Sequence, residues 1–276
     1  MKSTLKKIVC VTLILTMLGL MFGCTSGNAS SSSEDVMAAI MRKGKVTAAI
    51  SLGNEPWCWR DTDGQIKGVA IDLIEGFAKS IDVEVEYVIL EFSGLIPAIQ
   101  AEKADIICTN LTRKPSRATS ILYTEGVGST YGVVIVRKGE FNAIEDLNNA
   151  NVTLTTEVGS IYEEVGTSTF PNAKMSPTEN NSDALAAVKA GRADAMVTDL
   201  GIATAACAQD DTIEYLTPYI FTDTFGFAAK CSVSAVTFVE CFNIYLRVIK
   251  SDGTYASIFE KYFDKQWVPT FMDAAI

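Results

Sequence analysis

Ile96-Pro97-Ala98-Ile99-Gln100-Ala101-Glu102-Lys103-Ala104-Asp105 runs through Ile106-Ile107-Cys108 to Thr109-Asn110. The pattern returns 89 residues later, where Leu185-Ala186-Ala187-Val188-Lys189-Ala190-Gly191-Arg192-Ala193-Asp194 runs through Ala195-Met196-Val197 to Thr198-Asp199. Each copy reads as the end of a helix, a tight turn and a short buried strand that stops at Thr and a polar residue. Open α/β sheets bind ligands outside the carboxyl ends of their strands. A chain that builds this end twice predicts two lobes facing a shared cleft, with the strand ends at Asn110 and Asp199 turned toward a ligand.

Outward from these copies, strand and helix patterns alternate. Lys45 to Ile50 reads as a buried first strand. Asp72 followed by Glu75 has capping-box spacing, and Leu73, Phe77 and Ile81 recur with helical period behind it. Residues 83–90 alternate as a strand does. The β-branched run 131–137 predicts a crossover into the second half, 152–155 starts that half's sheet, and 224–229 predicts the return. Residues 233–249 and 255–263 read as helices. The expected architecture is α/β: a mainly parallel, doubly wound sheet in each of two lobes. Two crossovers make the first lobe discontinuous, 36–129 plus 229–276, with the second lobe at 130–228. Two strands joining two lobes form a hinge able to close on a small ligand.

The chain has 276 residues, 48% of them apolar, and a formal charge of −10. That is room for a full core, and the acidic balance argues against nucleic acid, which requires clustered Lys and Arg. Lys2, Lys6 and Lys7 precede an apolar stretch, 8–22, too short for a usual spanning helix, which is the form of a secretion signal. Loss of these three lysines takes the charge from −10 to about −13. The stretch ends in Met21-Phe22-Gly23-Cys24, which resembles the lipobox of bacterial lipoproteins. The resemblance implies cleavage after residue 23, lipidation of Cys24 and a Ser-rich tether over 24–35. It also implies residence on the extracytoplasmic face of a bacterial cell membrane, anchored through acyl chains. Five cysteines then remain, so at least one is unpaired. Cys108 lies in a buried run, and a Cys207–Cys231 bridge is open. The chain has no His and no metal-ligand spacing, so neither a metal site nor a cofactor is expected.

Several motifs together resemble the extracellular solute-binding proteins of the polar amino-acid class, family 3, which feed ABC importers. They are Gly68-x-x-Ile71-Asp72-Leu73, Glu91-Phe92-Ser93-Gly94-Leu95-Ile96-Pro97-Ala98, Thr112-x-x-Pro115-x-Arg117, the two Ala-Asp copies, Thr198-Asp199, and Asp252-Gly253-Thr254-Tyr255 with Lys261-Tyr262-Phe263. The resemblance spans nearly all of the chain beyond the signal. It implies a periplasmic-binding-protein-like fold, an amino-acid ligand, a permease partner and no enzymatic activity. The protein is expected to act as a monomer.

A free amino acid carries a carboxylate and an ammonium, and burying both requires pairing both. Arg117 offers a planar fork for a carboxylate. The resemblance implies that Thr112 and Arg117 hold the α-carboxylate, that Asn110 serves the ammonium or nearby backbone, and that the loop with Ser160 and the Ile161 backbone adds carboxylate contacts. Asp199 matches the ammonium. Simpler roles stand beside these: a surface ion pair for Arg117, a helix N-cap for Asp199, a plain helix start at Ser160 and Glu163. Side-chain selectivity is expected from Asn54, Glu55, Trp57, Phe92, Glu157 and Tyr162, against core packing for Trp57 and Phe92 and a solvated charge for Glu157. Asn54 stands where the family commonly has an aromatic residue. The family usually has an acid near Ala70, and it differs around residues 122–126 and at Lys114. Two other readings are a dehydratase on the same fold, with Glu157 as its acid or base, and an extracellular amino-acid sensor.

Overall fold

The computed structural model describes residues 34–263; the expected signal, Cys24 and the tether up to residue 33 lie outside that range. Asp35 accepts a hydrogen bond from the Ala38 N–H to open α1 (Val36–Lys43), and Gly44, with φ at 67°, turns the chain into β1 (Lys45–Ile50). A two-stranded ribbon, β2 (Trp59–Arg60) and β3 (Ile66–Lys67), leads to α2 (Val69–Ser80) and β4 (Glu84–Ile89). After α3 (Leu95–Gln100) and β5 (Ile106–Ile107), a short helix α4 (Pro115–Ala118) precedes β6 (Ile121–Arg137). The second half holds β7 (Thr153–Thr155), α5 (Ile161–Thr169), β8 (Lys174–Met175), α6 (Asn181–Lys189), β9 (Ala195–Asp199) and α7 (Leu200–Gln209). Strand β10 (Ile213–Lys230) returns to α8 (Val236–Ser251) and α9 (Thr254–Tyr262).

Among the described residues eight strands join in the order β4-β1-β5-β10-β6-β9-β7-β8. Within each half the expected parallel arrangement holds away from the crossover strands. β1 is parallel to β4 and β5, and β7 to β8 and β9. But β10 is antiparallel to β5 and β6, and β6 to β9. The chain crosses between lobes once in each direction, so the two crossover strands oppose each other at the centre of one mixed sheet. Both are longer than the β-branched runs suggested, because Gly126, Gly128 and the Thr217-Pro218 pair dilute the strand signal without ending the strand.

The capping expectation at Asp72 also changes. Helix α2 starts earlier, after Gly68, and Asp72 sits in its first turn. Its carboxylate takes Lys261 Nζ at 2.8 Å and the Tyr262 hydroxyl at 3.0 Å, tying α2 to α9. Gly68 has φ at 137°, and a Cβ there would overlap the Trp57 carbonyl, so the turn requires glycine.

The sequence repeat has a structural cause. Asp105 accepts the Thr47 N–H at 2.8 Å while its own N–H donates to the Thr47 carbonyl at 2.8 Å. Asp194 does the same with Thr153, at 2.7 and 2.8 Å. Each Asp thus clamps the strand beside its own, fixing where β5 and β9 begin. The cores lie on the faces of the sheet: Phe77, Phe227, Phe238 and Phe242 pack below the first half, and Leu154, Val165, Phe170 and Val197 fill the second.

Candidate functional site

The two residues that end the repeated strands meet. Asn110 Nδ2 donates to Asp199 Oδ2 at 3.0 Å, and Thr109 Oγ1 holds the Asn110 carbonyl oxygen at 2.9 Å. Asp199 is fully buried. Its Oδ1 accepts from the Ile202 N–H at 2.9 Å and from Trp57 Nε1 at 3.2 Å. Asp199 is therefore the N-cap of α7, and its other oxygen meets Asn110 from the opposite half. Burial raises its pKa from 3.8 to about 6, against the lowering effect of the Ile202, Trp57 and Asn110 bonds.

Arg117 faces the same cleft from α4. Its guanidinium donates to the Thr112 carbonyl at 3.2 Å and, across the cleft, to the Gly159 carbonyl at 2.8 Å, and it lies 5.8 Å from the Phe92 ring centroid. Among the described residues it makes no ion pair; the surface-pair reading of Arg117 fails. Tyr123 also donates to the Thr112 carbonyl, at 2.7 Å, so this backbone is held from two sides. The Thr112 hydroxyl donates to Asp223 Oδ2 at 2.8 Å, and the Tyr162 hydroxyl reaches the same oxygen at 3.2 Å. Asp223, on β10, is 1% exposed, and burial followed by the nearby Asp199 charge pushes its pKa up to about 7, against the Thr112 and Tyr162 bonds. Lys114 pairs with Glu164 across the cleft.

Ser160 caps the start of α5 by position, yet its side chain makes no cap bond; it lies 3.4 Å from Thr156 Oγ1. Glu163 reaches back to the Gly159 N–H at 3.1 Å, one residue before the expected capping-box partner. Ile161, Tyr162 and Phe92 are buried. Trp57 is 2% exposed and its ring packs on Phe225, Phe259 and Phe263. It is a core residue whose indole N–H steadies Asp199.

The remaining expected residues gather at the other end of the cleft. Glu157 is 2% exposed, so the solvated-charge reading fails for it. Its Oε2 accepts from Asn181 Nδ2 at 3.3 Å, and Oε1 has no partner. Burial, and then the Glu91 and Asp199 charges, raise its pKa from 4.5 to about 8. Asn181 Nδ2 also donates to Asn54 Oδ1 at 2.6 Å, while Asn54 Nδ2 donates to the Ser51 carbonyl at 3.2 Å. Glu55 accepts from Gln209 Nε2 at 3.0 Å, and both line the pocket beside this group. An interlobe pocket of about 400 Å³, walled in part by Gly53, Trp59, Asn181 and Ile202, adjoins the Asn54–Asn181 bond.

Sequence reading missed Asp223 and Asn181. An acid inside the Phe221-Thr222-Asp223-Thr224 strand was a signal for the first, because a charge on a central strand needs a reason. The second hid behind Asn180, which caps α6 through the Asp183 N–H at 2.9 Å while Asn181 turns inward.

A mixed sheet whose two crossover strands join two lobes, with Asn110 and Arg117 of one meeting Asp199 and Gly159 of the other, defines a hinged small-molecule binding protein. The chain belongs to the bacterial extracellular solute-binding proteins, family 3, whose model matches residues 46–265. It is 27% identical over 188 residues to a probable amino-acid ABC transporter periplasmic-binding protein, y4tE, of Sinorhizobium fredii, covering 65% of this chain and 62% of that one. It is 27% identical over 245 residues to the ABC transporter glutamine-binding protein GlnH of Bacillus subtilis, covering 86% of this chain and 88% of that protein. Among solved structures it resembles the ancestral amino acid-binding protein AncCDT-1, a precursor of cyclohexadienyl dehydratase. The TM-score is 0.77 with 30% identity, over 83% of this chain and 99% of that one.

Proposed function

We propose that the chain captures an amino acid between its lobes on the extracytoplasmic side of the cell membrane and delivers it to an ABC importer. The lobes comprise 36–129 plus 229–276 and 130–228, and lipid on Cys24 holds the protein at the membrane. Arg117, with Thr112, Ser160 and the Ile161 backbone, takes the α-carboxylate. Asp199, with Asn110, takes the α-ammonium. One observation carries this reading: among the described residues neither Arg117 nor Asp199 has an ionic partner, although both face the cleft and Asp199 is fully buried. A zwitterion supplies both missing charges at once. The protein acts by binding and release, as the names of its relatives, ABC transporter binding proteins, support.

A thermal-shift panel of amino acids and small organic acids tests the reading. A true ligand at a hundred times its dissociation constant stabilises the fold by about 2.7 kcal/mol. Arg117→Ala removes that shift, and the ligand recovered afterwards has unchanged mass. No shift with any amino acid refutes the assignment, and a changed mass refutes the non-enzymatic part of it.

A further inference from the structure

We propose that the cleft contains a second charged subsite in which Glu157 receives a positively charged ligand side chain, so that the ligand is a cationic amino acid. The inference rests on the zwitterion reading above. Arg117 and Asp199 balance the two charges of a zwitterion, and the buried groups then leave two further carboxyls, Glu157 and Asp223. Each keeps one oxygen without a partner, Glu157 Oε1 and Asp223 Oδ1. Their other oxygens differ. Asp223 Oδ2 accepts two hydroxyls, at 2.8 and 3.2 Å. Glu157 Oε2 has a single amide donor at 3.3 Å, near the outer limit for such a bond.

Among the described residues the Glu157 carboxyl has no other hydrogen-bond or ionic partner. Glu91 and Asp199 are the charged groups that act on it, and both are acids. Asn54 turns its oxygen toward Asn181 and spends its amide on the Ser51 carbonyl. The group is rich in acceptors and short of donors, which is the inverse of an ammonium or guanidinium. A buried carboxyl left in this condition costs stability, and the cost is offset when a cation enters. The cation then draws the Glu157 proton off, so binding near neutral pH releases protons to the buffer.

Calorimetry on the full-length protein tests this with matched probes: arginine against citrulline and lysine against norleucine, at pH 7.5 in two buffers of different ionisation enthalpy. The cation of at least one pair is expected to bind about 30-fold or more tighter than its neutral isostere, as for a buried charge partner. Its enthalpy differs between buffers in the sense of proton release. Glu157→Gln brings the ratio close to one and abolishes the release, while Asp223→Asn preserves the preference for the cation. If the Gln variant does not fold, the isostere ratio and the proton release in the unaltered protein still decide. Equal affinity for cation and isostere, no proton release, or a preference lost in Asp223→Asn and kept in Glu157→Gln overturns the assignment. Tight binding of a neutral or acidic amino acid alone overturns it and leaves the zwitterion reading standing. Binding of no amino acid overturns both.

Discussion

Replacing Asp199 by Asn separates the residue's structural role from its charge. The variant keeps the size and the acceptor at Oδ1, so the Ile202 N–H and Trp57 Nε1 retain their partner and the helix retains a good cap. At the other oxygen, the Asn110 amide meets an amide. Rotation of Asn110 restores that bond, with Thr109 exchanging its role from donor to acceptor. At most one hydrogen bond is lost, about 1 kcal/mol. The charge weighs more. A pKa of about 6 against an ordinary 3.8 means that ionising Asp199 costs about 3 kcal/mol more in the folded protein than in the unfolded chain. Because the folded pKa is the higher one, this cost is absent below about pH 4, grows through the window between the two values and is complete above pH 6. At pH 8 the ligand-free Asn variant is therefore more stable than the parent by about 2 kcal/mol, and at pH 4 it is equal or slightly weaker. Ligand affinity moves the other way: losing a buried charge partner costs about 2–5 kcal/mol, roughly 30- to 5,000-fold in Kd. Urea denaturation at both pH values, with calorimetric binding at pH 8, reads all three quantities. A variant that is less stable at pH 8 and binds as tightly as the parent refutes the reasoning.

Arg117→Ala is expected to weaken ligand binding by about 2–5 kcal/mol in calorimetry while leaving the ligand-free melting temperature nearly unchanged, since its partners are exposed or backbone carbonyls. Asp105→Ala and Asp194→Ala each remove a charged acceptor from a strand N–H, so each should lower stability by about 1.5–3 kcal/mol in urea titrations. Sitting in different halves, they should add in the double variant. The ligand-free parent should lose stability as pH rises from 5 to 8, because Asp199, Asp223 and Glu157 all have folded pKa values above their ordinary ones. Melting curves across that range should show a falling midpoint, and Asp223→Asn should flatten the fall.

The architecture was legible because strand ends and helix ends obey local rules. The Ala-Asp copies announced two equivalent strands, and the same Asp clamp stands behind both. The direction of the central strands was not legible. Which way β6 and β10 run depends on their partners in space, and their Gly and Pro residues hid their length. Helix α2 starts before the capping-box pattern, after Gly68, and Asp72 instead binds Lys261 and Tyr262, 189 and 190 residues away, which no local pattern shows. At the site, Asn110 and Asp199 stood out because each ends a copy of the repeat, and Thr112 and Arg117 because they fall in the Thr-x-x-Pro-x-Arg motif of the family. Asp223 carried only the bare signal of an acid inside a strand, and its place beside Thr112 and Tyr162 emerges only when the chain folds. Glu157 was visible as an extra acid, but its burial among acids and amides emerges only when the two halves come together.

The central claim is that opposite walls of the cleft hold the two charges of one amino acid. Calorimetric titration of the best ligand, its decarboxylated amine and its α-keto acid measures that claim directly. The account predicts that the amine, lacking the partner of Arg117, and the keto acid, lacking the partner of Asp199, each bind about 30-fold or more weaker than the amino acid. Either analogue binding as tightly as the amino acid contradicts it.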